Sequence, residues 1–402
     1  MLLEEETSED SFEVDDMSRQ WYNACMNETR IEELGVQPVL DSLKALGGWP
    51  VLEEDDKDYA SFKWYEQTQK LNREGFSMNA IMTHTIGSDD RNNSYRVFKL
   101  DQASLGMQRE YLIKGFEDKL VQHYYQYMVD SAILLGADEA RAKTELKESL
   151  LFEIALANIS APREERRDDT KLYHPTTLGK LDSSKNETQN AGEPSSWQEY
   201  IAETVRDGLA YKEGHHSDKA DTIKIGSDEK VIIRNPAFFK NVSKLISKTN
   251  PKVVANYMAW RVVASTMDVL NKDAREIQQK YAKALTGVAK IKATWKRCVA
   301  SAGFNSASFM SGGGAASSMY VRKYFKPEDK KVMLNMVAYV RKYFTKMLDK
   351  LTWMDDATKL KAKKKMEEMD QFIAYPDELV DQTMIDGLHK GLSIYDFRFN
   401  SM

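Results

Sequence analysis

Apolar positions recur at helical spacing along most of the chain, and the breaks between the runs carry residues that start or stop helices. From Pro38 to Leu46 a proline opens the first turn, Val39, Leu40, Leu43 and Leu46 share one face, and Gly47-Gly48 ends the run. A second helical stretch from Asp58 to Leu71 carries Phe62, Trp64 and Tyr65 as packing residues. Met78 to Ile86 and Tyr95 to Leu100 change to a strand pattern rich in Ile, Thr, Val, Tyr and Phe. They flank the turn-forming GSDDRNNS, which predicts one β-hairpin in a mainly α protein.

Helical spacing returns from Gln108 to Leu135 and from Ala137 to Asn158, with Gly136 as the break. Pro162 to Asp228 is polar and reads as loop, interrupted by one helical piece around Trp197 to Leu209. The strand-like KVIIR follows, and then two helix starts, Asn235-Pro236 and Asn250-Pro251, each a cap followed by proline in the first turn. The longest amphipathic segment, Pro327 to Trp353, places Val332, Met336, Val337, Val340, Phe344, Met347 and Leu351 in a stripe. Such a stripe is expected to face a core or another helix. Asp355 caps the next helix, whose KLKAKKKMEEM makes a solvated face, and Pro376 follows its end.

Composition adds few constraints. The 402 residues are 42% hydrophobic and 30% charged, ordinary for a folded soluble protein, with a net charge of -5. The segment Lys361 to Lys365, four lysines in five residues, is followed after Met366 by Glu367 and Glu368, so no nucleic-acid partner is expected. No run approaches the roughly 20 apolar residues of a membrane span, and MLLEEETSED lacks the pattern of a signal peptide. Five N-x-[ST] sequons, at Asn27, Asn92, Asn158, Asn186 and Asn241, point the other way, toward the secretory pathway. Cys25 and Cys298 are too far apart for a C-x-x-C motif, and spacing leaves open both a long-range disulfide and two buried free thiols.

Candidate chemistry is sparse. None of His84, His123, His174, His215, His216 and His389 begins H-E-x-x-H, the arrangement that puts two imidazoles on one helix face for zinc. His215-His216 with Asp218 and Asp221 forms at most a weak cation site in a polar loop. SGGGAASS, from Ser311 to Ser318, lacks the lysine and the preceding strand of a phosphate loop, and no G-x-S-x-G occurs. No catalytic residue and no metal ligand is therefore assigned.

Several runs in order resemble the neprilysin and endothelin-converting-enzyme family of zinc metallopeptidases. These are WYNACMNETRIEELGVQPVLDSLKALGGWPV from Trp21, then PREERRDDTKLYHPTTL, NYMAWRVV, YAKALTG with TWKRC, and LTWMDDATKLKAKKKMEEM leading into IAYPDEL. The resemblance implies a multi-helix lid domain of the neprilysin type over residues 21–380. Residues 1–20 would be an acidic start, and 381–402 a truncated connection toward a missing catalytic domain. It implies a disulfide between Cys25 and Cys298, and no second, short-range cysteine pair near Tyr111 to Leu120. It places the zinc site, the catalytic glutamate and the substrate-binding strand after Met402, and a membrane anchor before Met1. The expected role is thus the non-catalytic lid portion of a zinc metalloendopeptidase that cleaves oligopeptides, inactive alone, on the extracellular or plasma-membrane side. The alternative is a catalytically inactive secreted module that binds a peptide or protein.

Overall fold

The structure, a computed structural model, describes residues 2–4, 11–53, 58–76, 78–184, 192–213, 224–290, 292–305 and 315–389. The chain makes two compact units, one from Met1–Asn27 with Lys292–Phe397 and the other from Glu28–Ile291. It begins in the first unit with α1 (Glu13–Met26), whose first turn holds Glu13, Asp15 and Asp16 against the positive end of the helix dipole. Asp15 also accepts the backbone N–H of Phe12 at 2.9 Å, which fixes the chain's entry into the helix.

The second unit opens with α2 (Glu28–Leu34), α3 (Gln37–Ala45) and α4 (Trp64–Arg73). Strands β1 (Thr83–Ser88) and β2 (Arg96–Asp101) form the expected hairpin, with Ser88 opposite Arg96 and Thr83 opposite Asp101. Then come α5 (Arg109–Leu112), α6 (Lys119–Leu134), α7 (Glu139–Ile159), β3 (His174–Thr177), α8 (Leu178–Ser183) and α9 (Trp197–Glu213). Last are β4 (Lys230–Ile233), α10 (Pro236–Lys248), α11 (Pro251–Thr266) and α12 (Lys272–Thr286).

Helix boundaries follow capping chemistry. The side chains of Asp118, Asp138, Asn235, Asn250 and Asn271 each accept a backbone N–H in the first turn of the helix that follows. Gly136, at φ 104°, turns α6 into α7 through a left-handed conformation that a side chain disfavours. The α helices pack with α11 and α6 on α7, α12 on α6, and α4 on α9. Their shared core fully buries Trp49, Trp197, Trp260, Tyr124, Tyr257 and Phe238.

The hairpin does not stand alone. The sheet has four strands in the order β1-β2-β4-β3, with β2 and β4 parallel and both outer pairs antiparallel. The strand-like KVIIR supplies β4, whereas β3, α8 and two short 3-10 turns lie in the polar stretch that reads as loop. β3 has no apolar alternation of its own; His-Pro-Thr-Thr becomes a strand by pairing with buried Val231 and Ile232 of β4. The first strand also starts later than its pattern suggests, because Ala80, Ile81 and Met82 are core residues outside regular strand.

The chain then returns to the first unit with α13 (Thr294–Asn305), α14 (Ala315–Tyr324), α15 (Pro327–Lys350), α16 (Asp356–Glu367) and α17 (Gln382–His389). Cys25 of α1 and Cys298 of α13 form a disulfide across 273 residues of sequence, with Cα atoms 5.6 Å apart. Around it pack Leu3, Tyr22, Ala302 and Met319, and Trp21 donates its indole N–H to the Ser301 hydroxyl at 3.0 Å. A second small cluster joins Val14, Val321, Leu379 and Ile385, and beside it Arg322 pairs with the buried carboxylate of Asp15.

Candidate functional site

The residues singled out from sequence do not converge. Asn92 lies in the β1–β2 turn, Asn27 between α1 and α2, Asn158 in the last turn of α7 and Asn241 on α10, all four exposed. Asn186, His215 and His216 lie outside the described residues. His84 is stacked on Phe98 with ring centroids 6.2 Å apart and meets Tyr200 edge-on, and burial lowers its pKa. His174 bonds the Ile233 carbonyl at 3.1 Å, and His123 is on α6. Among the described residues, no three or more His, Cys, Asp or Glu side chains form a group able to hold a metal ion. The described residues do not fit a zinc site.

The most concentrated polar chemistry is a buried cluster in the second unit that the sequence reading missed. Glu153 of α7 is fully buried and accepts the Gly106 N–H at 2.5 Å and the Tyr124 hydroxyl at 3.0 Å. The Tyr124 oxygen in turn accepts the Trp260 indole N–H at 2.8 Å. Burial raises the Glu153 pKa against the opposing pull of Arg261, which donates to the Tyr257 hydroxyl at 3.0 Å. A Cβ on Gly106 would lie 2.2 Å from the Tyr124 oxygen, so glycine here is required by the cluster. Its charge and donors are used internally, tying α6, α7, α11 and the segment before α5 together; this is a structural pin. A Glu in the middle of a helical apolar run, followed by a Trp and an Arg on a later helix, was its only trace in the sequence.

The feature open to a partner is in the first unit. Leu348 is buried on α15, with Leu334, Val337, Arg341 and Thr345 half-buried along the same side. This helix packs on α16, where Lys363 pairs with Asp349 and Arg341 donates to the Met366 carbonyl. The expectation that the apolar stripe faces a core or another helix is corrected for most of it. Val337 and Leu351 are half-buried, but Val332, Met336, Val340, Phe344 and Met347 are exposed, from 39% at Phe344 to 68% at Val340. Tyr339 and Tyr343 extend the open face, so α15 has two apolar sides, one against α16 and one exposed, while Lys330 near its start pairs with Asp377. The open side runs from Val332 to Met347, roughly 22 Å at the helical rise. Trp353, Leu360 on α16 and Phe372 are exposed as well. Along α15 the helical spacing makes this apolar side continuous, the kind of surface that a partner can cover.

Comparison with known proteins gives a consistent assignment. The sequence model of peptidase family M13 matches residues 1–376. Neprilysin-2 of Drosophila melanogaster is 39% identical over 379 residues, which are 93% of this chain and 46% of that protein. Human membrane metallo-endopeptidase-like 1 is 30% identical over 390 residues, 95% of this chain and 47% of that protein. The solved structure of PepO from Lactobacillus rhamnosis superposes with a TM-score of 0.69 at 16% identity, covering 95% of this chain and 56% of that one. The zinc metalloprotease ZMP1 of Mycobacterium tuberculosis does so with a TM-score of 0.66 at 17% identity, covering 93% and 52%. Identities this low speak for the fold, which is that of these peptidases. The chain spans about half the length of the relatives it matches. With the family model covering nearly all of it, the chain belongs to peptidase family M13 and carries the family's neprilysin-like N-terminal region.

Proposed function

We propose that this chain is the non-catalytic lid portion, over residues 21–380, of a zinc metalloendopeptidase that cleaves oligopeptides. Its work is to wall a chamber and limit what enters, while the zinc and the proton-transferring glutamate belong to a catalytic domain of the same protein. The observation that carries this reading is the open apolar side of α15 in a chain about half as long as its relatives. Val332, Met336, Val340, Tyr343 and Met347 are the seat proposed for that catalytic domain. Burying a side chain of this kind contributes about 1.5–3 kcal/mol, so a handful of them suffices for a stable interface before ordering costs. Localisation on the extracellular or lumenal side fits the Cys25–Cys298 disulfide, which persists in an oxidising compartment. Among the described residues no helix is long and apolar enough to cross a membrane.

The test is to purify the chain, measure its zinc content and offer it oligopeptides with and without a chelator. No bound zinc and no chelator-sensitive cleavage are expected, and zinc-dependent hydrolysis would overturn the proposal. Tight binding of an oligopeptide without hydrolysis would instead identify a free-standing binding module.

A further inference from the structure

We propose that Asn92, at the tip of the β1–β2 hairpin, is a site of N-linked glycosylation whose geometry is built into the fold. The inference rests on the secretory localisation proposed above. Four described sequons are exposed at their asparagine, but they differ at the hydroxyl two residues on, which an N-glycosylation acceptor also requires. Ser160, of the Asn158 sequon, is buried and donates to the Leu156 carbonyl at 2.8 Å. Ser243, of the Asn241 sequon, is 1% exposed on α10. Both hydroxyls are taken from the surface as their helices form. Thr29, of the Asn27 sequon, is exposed at the start of α2.

At Asn92 the opposite holds. Asn92, Asn93, Ser94 and Tyr95 are all exposed. The Asn92 side-chain oxygen accepts the Ser94 N–H at 3.1 Å, and the Asn92 carbonyl accepts the Tyr95 N–H at 3.1 Å. The carboxamide is thereby oriented with its oxygen engaged. Its Nδ2, like the Ser94 hydroxyl, has no protein partner among the described residues. The base of the turn is fixed independently. Buried Asp89 accepts from the Tyr173 hydroxyl at 3.2 Å and pairs with Lys230, while the Arg91 guanidinium lies 4.3 Å from the centre of the Tyr173 ring. In the folded chain the sequon is therefore held out on an anchored tip.

The reaction is transfer from a lipid pyrophosphate-linked oligosaccharide. The Asn92 Nδ2 bonds to the anomeric carbon, the bond from that carbon to the phosphate oxygen breaks, and the amide proton is lost as the lipid pyrophosphate leaves, with no change of oxidation state. A bulky glycan there keeps the hairpin tip out of any protein interface.

The experiment expresses the full chain behind an added cleavable secretion leader in eukaryotic cells. Glycopeptides from medium and from the membrane fraction are released enzymatically in heavy-oxygen water and read by mass spectrometry. Asn92 is expected to be occupied in most molecules, and Asn92→Gln and Ser94→Ala are each expected to remove one glycan while the chain still folds. An unmodified Asn92, or higher occupancy at Asn158 or Asn241 than at Asn92, overturns the proposal. Expression from the complete natural reading frame separates the two readings: a protein that never enters the secretory pathway contradicts the localisation, while the added-leader result still decides Asn92.

Discussion

Glu153 shows how a single residue sets the tolerance of its surroundings. Replacing it with Ala leaves the Gly106 N–H and the Tyr124 hydroxyl without their acceptor in a fully buried site. A loss of about 3 kcal/mol is expected, because the cost is that of orphaned donors plus a cavity. Gly106→Ala is expected to cost about 1–3 kcal/mol by forcing Tyr124 and Glu153 apart. Urea denaturation of both variants checks this, and a midpoint unchanged in either would mean that the cluster is not a pin.

His84 supplies the pH dependence at this scale. Its folded pKa lies below the ordinary value of 6.5, since burial between Phe98 and Tyr200 disfavours the charged ring. The unfolded chain then binds a proton that the folded chain resists, so stability is full above the ordinary pKa and falls as pH drops below it. Substituting His84→Phe is expected to flatten that acid limb, measured as the change in urea midpoint between pH 7.5 and 5 relative to the parent chain.

Among the elements, those whose signals are local were legible. Asn235 and Asn250 cap α10 and α11 with proline in the first turn, and Gly136 separates α6 from α7, as their patterns imply. β3 and α8 were not legible, because His174 to Thr177 carries no alternation and owes its strand to a partner more than 50 positions away. On α15 the period of the stripe was readable, but a sequence pattern reports that a face is apolar and not whether its neighbour is present. The two sides of α15 should respond differently. Leu348→Ala is expected to cost about 2–5 kcal/mol because Leu348 is buried. Val340→Lys and Tyr343→Ser are expected to shift stability of the isolated chain by no more than about 0.5 kcal/mol, while lowering its tendency to self-associate. Thermal unfolding with light scattering measures both, and a large destabilisation by Val340→Lys would show that this side is already covered.

For the whole molecule, the cysteines illustrate what spacing cannot reveal. A separation of 273 residues is compatible with paired or free thiols, and only resemblance to a family pointed to the pairing that α1 and α13 make. The candidate interface was partly legible in the same way, as an apolar stripe without an address. In the chain-entropy picture the long loop makes the bond worth up to about 5 kcal/mol. Cys298→Ser is therefore expected to destabilise the unit built from Met1–Asn27 and Lys292–Phe397, with the Glu28–Ile291 unit keeping its own protection. Hydrogen exchange by mass spectrometry tests this, and equal loss of protection in both units would contradict it.

That discontinuous unit also imposes an order in time. Cys25 leaves the ribosome first, and its partner is added 273 residues later, a delay of roughly 14 to 55 s at about 5–20 residues per second. Throughout the interval α1 has none of α13, α14 or α17 to pack against, while the 264 residues of Glu28–Ile291 are being made and their core assembles. Synthesis therefore leaves an amphipathic segment and a reduced thiol waiting beside a folding domain, and a nascent chain of this design depends on something to shield both until its other end arrives.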